Sequence, residues 1–347
     1  MYTEQSKKLT VVSVLEVLKK YSDADHRLSQ KEIGELLERE YGVKLGRKAL
    51  RRNLMNLLEF GYQLEYTEKT RMKKDGTPET VATDWYLVRD FTDSELRLLI
   101  DGLLFSQHIP YSQCRDLVEK LENLSNVYFR SRVAHIARLP DQKSDNKQLF
   151  LNIELLDEAI ERERKVKFSY AEYTTDKELQ LRKNADGTDR EYIISPYQMA
   201  AKEGKYYLIC NYDKYEDISN YRIDRIRDLE ILENEPAKPF DLLRGSNGRR
   251  LDLGQYMREH IYMYSDDTVR AEFRIIREMV SDVLDMFGPQ VKFREETEKT
   301  VVVSASVNRL AMLQFAQNFA PDVVLLSPPE MVTELKERLE KAVRAYQ

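Results

Sequence analysis

"KYYLICNYDKYEDISNYRIDRI", Lys205 to Ile226, places five tyrosines around two short strand-like runs and ends on two arginines three positions apart. A strand sends neighbouring side chains to opposite faces. Tyr206 and Tyr207 are both buried only if the sheet is covered on both sides. The same holds for Arg222 against its neighbours Tyr221 and Ile223. The reading of this stretch therefore decides whether the middle of the chain is an open sheet or a small, strongly bent one.

The surrounding residues favour the bent sheet. A helical pattern, "LNIELLDEAIERER", leads into "KVKFSYAEY", where Val166, Phe168 and Tyr170 share one face. "DREYIISPYQMAA", "KYYLICNYD" and "ISNYRIDRIRDLEIL" supply further strands, with turns at 184–187 and Glu203-Gly204. Short strands, tight turns and one leading helix predict a barrel of Sm or SH3 type over residues 148–235. Nine of the 21 tyrosines lie between Lys165 and Tyr221. From Lys165 to Glu230 there are 12 Lys/Arg and 13 Asp/Glu, so the segment is nearly neutral. An anion site here must be a focused pocket. Aromatic faces beside guanidinium groups suit the stacked bases and phosphates of a single strand, or a small planar or phosphorylated ligand. Alternatively the tyrosines fill the barrel and Arg222 and Arg225 pair with Asp213, Asp217 or Asp224.

Residues 1–90 read as a separate unit. "KKLTVVSVLEVLKKYSD" has Leu9, Val12, Leu15, Val17 and Leu18 at helical spacing. Ser29 and Glu32 form a capping box that opens a second helix with Ile33, Leu36 and Leu37 inward. Gly42 suits its end. In "GRKALRRNLMNLLEFG", Leu50, Leu54, Leu57 and Leu58 make one buried stripe. Lys48, Arg52 and Asn56 project from the opposite side, flanked by Arg51 and Met55, and Arg47 sits in the first turn. Two alternating runs, 62–67 and 81–88, then bracket a polar tip with Asp75-Gly76 as the turn, a hairpin signal. Three helices followed by a hairpin is the order of a winged helix-turn-helix. From Lys44 to Lys74 nine Lys/Arg stand against three acids, in a chain of net charge −5. The surplus lies on the recognition helix and wing tip, the elements that such a fold presents to duplex DNA. Lys48, Arg52 and Asn56 are the base-edge candidates. Arg47, Lys73 and Lys74 suit phosphates. The bland alternative is a solvated helix face.

From Phe91 two further helical patterns, the first opened by a Thr92–Glu95 capping box and running to Pro110, form a helical linker over 91–147. It serves either dimerisation or packing on the next domain. At 347 residues the chain is long enough for several domains. No apolar run approaches the ~18 residues of a membrane span, and "MYTEQSKKLT" lacks an apolar signal region. Cys114 and Cys210 make no CxxC pair, and the four histidines make no metal-ligand spacing. These features predict a cytoplasmic protein without cofactor, metal or membrane association. GxxxxGK[ST], GxSxG and HExxH are all absent, so no enzymatic activity is expected.

Tyr206-Tyr207-Leu208 resembles the Trp-Tyr-Leu signature of the WYL domain. "SPYQM", Ser195 to Met199, and "YRIDRI", Tyr221 to Ile226, resemble the family's Pro-containing strand and its Phe-Arg-x-Asp-Arg-Ile segment. Tyr206 stands where the family has tryptophan. The resemblance implies the architecture of WYL transcriptional regulators: winged helix, helical linker, WYL domain and a C-terminal WCX extension. Here a connector, 236–267, with a short helix around Tyr256, would lead to an extension over 268–347. Its pattern, "TVRAEFRII" through "PPEMVTELKERLEKAVRAY", reads βαββαβα, a ferredoxin-like order. The overall expectation is therefore an α+β multidomain chain. The resemblance also implies a homodimeric regulator that holds a DNA operator and senses a single-stranded nucleic acid or nucleotide-like effector. By motif the effector residues are Tyr206, Tyr207, Arg222 and Arg225, with Tyr170, Arg190 and Tyr197 added from neighbouring strands. Asp224 is expected to orient an arginine, because a carboxylate repels phosphate. Two other functions fit the same residues. One is an accessory single-stranded nucleic-acid binder that assists an RNA-guided or other defence system. The other is a regulator whose effector is a small planar metabolite.

Overall fold

Helix α1 (Thr10–Tyr21) buries Val14, Leu15, Val17 and Leu18, whereas Leu9 and Val12 are about half exposed. The inward stripe is thus set one position away from the Leu9–Val12 spacing, and Val14 carries it. In the computed structural model the described residues are 9–73, 76–129, 146, 148–243, 246 and 250–347. They fall into two units, residues 1–143 and 144–347, each taken by itself below.

In the first unit, α2 (Gln30–Tyr41) starts on the expected capping box. The Ser29 hydroxyl accepts from the Glu32 N–H, and the Glu32 carboxylate accepts from the Ser29 N–H. Gly42 ends it at φ +66°, a left-handed conformation that costs glycine little. Helix α3 (Arg47–Phe60) buries Leu50, Leu54 and Leu57 and half-buries Leu58. Each fully buried leucine stabilises the fold by about 1.5–3 kcal/mol over its exposed state. Strands β1 (Leu64–Met72) and β2 (Pro78–Leu87) pair antiparallel from Leu64↔Leu87 to Met72↔Pro78. The hairpin reaches further toward its tip than the apolar alternation reveals, because its outer half is polar on both faces. Its tip closes with the Lys73 N–H donating to the Thr77 carbonyl, and Gly76 takes φ +79°. Leu28 and Trp85 exchange two backbone hydrogen bonds of 2.8 Å, which ties the α1–α2 segment to the sheet. Trp85 is fully buried at the centre of this core.

Helix α4 (Asp93–Phe105) begins on the Thr92–Glu95 capping box and stops five residues before Pro110. Helix α5 (Tyr111–Glu122) follows directly on that proline. Leu96, Ile100 and Phe129 form a small core of their own. Most of the linker after Phe129 lies outside the described residues.

The second unit opens with α6 (Leu149–Glu161), then β3 (Arg164–Tyr173), β4 (Leu179–Leu181), β5 (Glu191–Lys202), β6 (Lys205–Tyr212), β7 (Ile218–Arg222) and β8 (Ile226–Pro236). The sheet runs β4-β3-β5-β6-β7, and β8 joins it on β3. β7 and β8 lie far apart in the pairing order, yet only the 3-10 turn Ile223–Arg225 separates them in sequence. The sheet must curl to bring those strands together. "ISNYRIDRIRDLEIL" is therefore two strands, β7 and β8, joined by that turn. Tyr206 and Tyr207 are both half-buried. Tyr207 packs on the side of Tyr256 and Met263, while α6 packs against β3, β5 and β8.

After the connector come helix α7 (Leu253–Glu259), β9 (Thr268–Ile276), α8 (Val280–Phe287), β10 (Lys292–Arg294), β11 (Thr300–Asn308), α9 (Arg309–Asn318), β12 (Val323–Ser327) and α10 (Pro329–Ala345). From β9 on, the string is the expected βαββαβα. The four strands pair antiparallel in the order β10-β11-β9-β12. Ala271, Phe273 and Ile275 of β9 and Val301, Val303, Ala305 and Val307 of β11 give one face to a core shared with Phe287, Phe315 and Leu335 of the three helices.

Candidate functional site

The cations of the first unit divide into two groups. Lys44 pairs with Glu38 at 2.8 Å, Lys69 with Asp84 at 2.8 Å and Arg71 with Glu79 at 2.8 Å. Arg47, Lys48, Arg51, Arg52 and Lys73 are exposed and have no ion pair with any described residue. Lys74 lies outside the described residues. Four of these five unpaired cations stand on α3, and Lys73 stands at the hairpin tip. Asn56 is exposed two turns beyond Lys48 on the same helix. The N-terminus of α3 adds to the positive field. Gly46 supplies no side-chain cap and the first turn holds no acid, so its free N–H groups point outward. This surface can neutralise phosphates and reach base edges.

In the second unit the seven aromatic and cationic candidates do not share one site. Tyr207 and Arg222 are direct cross-strand partners. The Tyr170 hydroxyl accepts from the Arg222 backbone N–H at 3.1 Å, and its ring is buried. The Arg222 side chain is held by Asp224 in a two-point pair of 3.1 and 2.8 Å, and the Asp224 side chain is only 4% exposed. Arg225 has no ion pair with a described residue. Its guanidinium lies 5.6 Å from the Tyr173 ring centre, and its buried Nε lacks a partner. Tyr206 stands on the opposite sheet face. Tyr197 is turned away from the arginines, with its hydroxyl donating to the Lys238 carbonyl at 2.8 Å and its ring against Phe240.

Arg190 sits over Tyr192 at 4.8 Å and Tyr212 at 5.7 Å. Tyr192 leads on to Phe168, Tyr170 and Tyr221, with ring centres 5.7, 6.2 and 5.5 Å away. Arg182 covers the Tyr170 ring at 5.2 Å and pairs with Glu172. Tyr192, Tyr212, Tyr221 and Arg182 were not among the expected residues. The Arg190–Tyr192 spacing of two, one face of a strand, was the signal available for the first of them. Burial pushes the phenols of Tyr170, Tyr207 and Tyr221 up, so they remain neutral hydroxyl groups. The arrangement is a tyrosine cluster edged by four guanidinium groups. Two of these, on Arg182 and Arg222, are neutralised, while those on Arg190 and Arg225 retain capacity for an anion or a stacked ring.

Among the described residues no group of three or more His, Cys, Asp or Glu is placed to hold a metal, and no helix is long and apolar enough to cross a membrane. Cys114 and Cys210 are free and buried.

No curated protein matches the chain. Among solved structures, proteasome accessory factor B/C (PafBC) of Arthrobacter aurescens is similar at 15% identity and a TM-score of 0.27, over 99% of this chain and 49% of that one. The present chain therefore spans about half the length of that relative. A CRISPR Cas-related protein is similar at 17% identity and a TM-score of 0.34, over 100% of this chain and 88% of that one. The family model described as the WYL domain matches residues 152–231, from early in α6 to the middle of β8. Residues 152–231 are thus the part of this chain that is similar to the WYL domain.

Proposed function

We propose that the chain is a DNA-binding transcriptional regulator whose WYL domain senses a nucleic-acid or nucleotide-like effector. In this reading residues 1–90 are a winged helix-turn-helix, the curled sheet is an Sm/SH3-like barrel, and residues 268–347 are a ferredoxin-like WCX extension. The observation that carries it is the row of exposed, unpaired cations on α3 and the hairpin tip, set opposite the leucine stripe that fixes the helix. A solvated face needs no such segregation; many other cations of this unit, such as Lys20, Lys44, Lys69 and Arg71, have acidic partners. The α3 face would enter the major groove and the hairpin would contact the flanking backbone. A homodimer would read two half-sites about one helical turn apart. Effector binding must favour one dimer arrangement over another to have a regulatory effect, since equal affinity shifts nothing. The reading assigns a binding role and no catalysis.

Selection of a random duplex library on the full chain tests it. The expected result is an enriched inverted repeat. Failure to enrich any duplex sequence, with single strands bound equally well, would overturn the regulator and leave the accessory single-strand binder.

A further inference from the structure

A cavity of about 480 Å³ lies outside the residues matched to the WYL domain, where α7 meets the free edge of the C-terminal sheet. β10 pairs with β11 only from Lys292↔Ser304 to Arg294↔Val302. Beyond Ser304 the edge of β11 has no strand partner on that side and faces the cavity. Arg258 of α7, Arg270 of β9 and Lys292 at the start of β10 all line it. None of the three has an ion pair with any described residue. Arg270 donates only to the Ser304 hydroxyl, over 3.4 Å.

The one cavity carboxylate, Glu259, is engaged by neutral donors, the Ser306 hydroxyl and the Gln255 amide, both at 2.9 Å. Arg258 is also deliberately seated. Its stem crosses Gly288, where an added Cβ would stand 3.3 Å from its Cδ, and its Nη1 lies 3.2 Å from the Cβ position of Gly254. Larger residues at either position would displace the guanidinium. A half-buried arginine held in this way with no acid partner is free to take a counter-charge from elsewhere.

We propose that this cavity binds a small phosphate monoester carrying hydroxyl groups. Two guanidinium forks and an ammonium match the charge and the three acceptor oxygens of a phosphate better than one carboxylate would. Gln255, Glu259 and Gln290 are placed for the hydroxyls of the remainder. The volume fits a small-molecule ligand. The site is independent of the tyrosine cluster, so the chain would carry two ligand inputs.

Isothermal titration calorimetry on the full chain, with glucose 6-phosphate, glycerol 3-phosphate and AMP as probes, tests this. At least one ester should bind saturably at one site per chain, and its dephosphorylated parent should not. Arg258→Gln and Lys292→Gln should each weaken that binding tenfold or more. Arg294→Gln, an equal charge loss on the same strand outside the cavity, should leave it unchanged. Lys292 is exposed, so its variant keeps the fold. Binding by none of the three esters, or binding that survives both cavity substitutions, overturns the proposal.

Discussion

Arg222 and Arg225 belong to one turn, but their surroundings assign them different work. Arg222 neutralises a buried carboxylate, so Arg222→Ala leaves Asp224 uncompensated. It should destabilise the second unit by about 1–3 kcal/mol, read as a lower urea midpoint at unchanged slope. Arg225→Ala removes an unpaired guanidinium and should shift that midpoint by less than about 0.5 kcal/mol. It should instead weaken binding of short single strands. Equal midpoints for the two variants would contradict the division. The pairing was half legible: Asp224 stands two residues from Arg222, and it was expected to orient an arginine. That Arg225 is the free partner was not legible. It depends on the 3-10 turn, and the apolar spacing of Ile223 and Ile226 reads equally well as a continuing strand.

At the scale of elements, local chemistry reports itself most clearly. The Ser29–Glu32 and Thr92–Glu95 capping boxes and the Leu50–Leu54–Leu57 stripe appear where spacing places them, because each is fixed within two turns of helix. Ser29→Ala should cost the first unit about 1 kcal/mol. A thermal midpoint unchanged from wild type would show that the box is not maintained in solution. Elements that depend on non-local pairing were read less well. The tyrosine count between residues 165 and 221 was plain, but which rings meet depends on registers such as Phe168↔Tyr192 and Tyr207↔Arg222. Arg182 was missed because its partners, Glu172 and Tyr192, are reached only across strands. The hairpin tip makes its own prediction. Lys73→Ala should weaken duplex binding uniformly across sequences and lower the salt slope by about 1. A sequence-dependent loss would place Lys73 on a base edge.

Across the whole molecule, charge is unevenly paired. A chain of net charge −5 keeps unpaired cations at the α3 face, at the WYL turn and in the C-terminal cavity, and neutralises many of the others in ion pairs. Its stability carries a pH signature of its own. His260 is buried, stacked 3.8 Å from Tyr256, with its Nδ1 3.0 Å from the Tyr256 carbonyl. Burial holds its pKa below the ordinary 6.5, with Glu259 pulling up and Lys202 down. A lowered folded pKa means the unfolded chain takes the proton first. Stability should therefore be complete above about pH 6.5 and fall as the pH drops from there through the folded value. His260→Gln should flatten that decline in thermal unfolding measured from pH 7 to 5. The central claim is that α3 reads duplex DNA while the second unit holds the effector. Its most direct test is anisotropy of a labelled duplex carrying the selected site, titrated with wild type and Arg52→Ala. The account predicts a loss of about 1–3 kcal/mol, roughly 10- to 100-fold, in duplex affinity, with single-strand affinity unchanged. An Arg52→Ala protein that binds the duplex as tightly as wild type would contradict it.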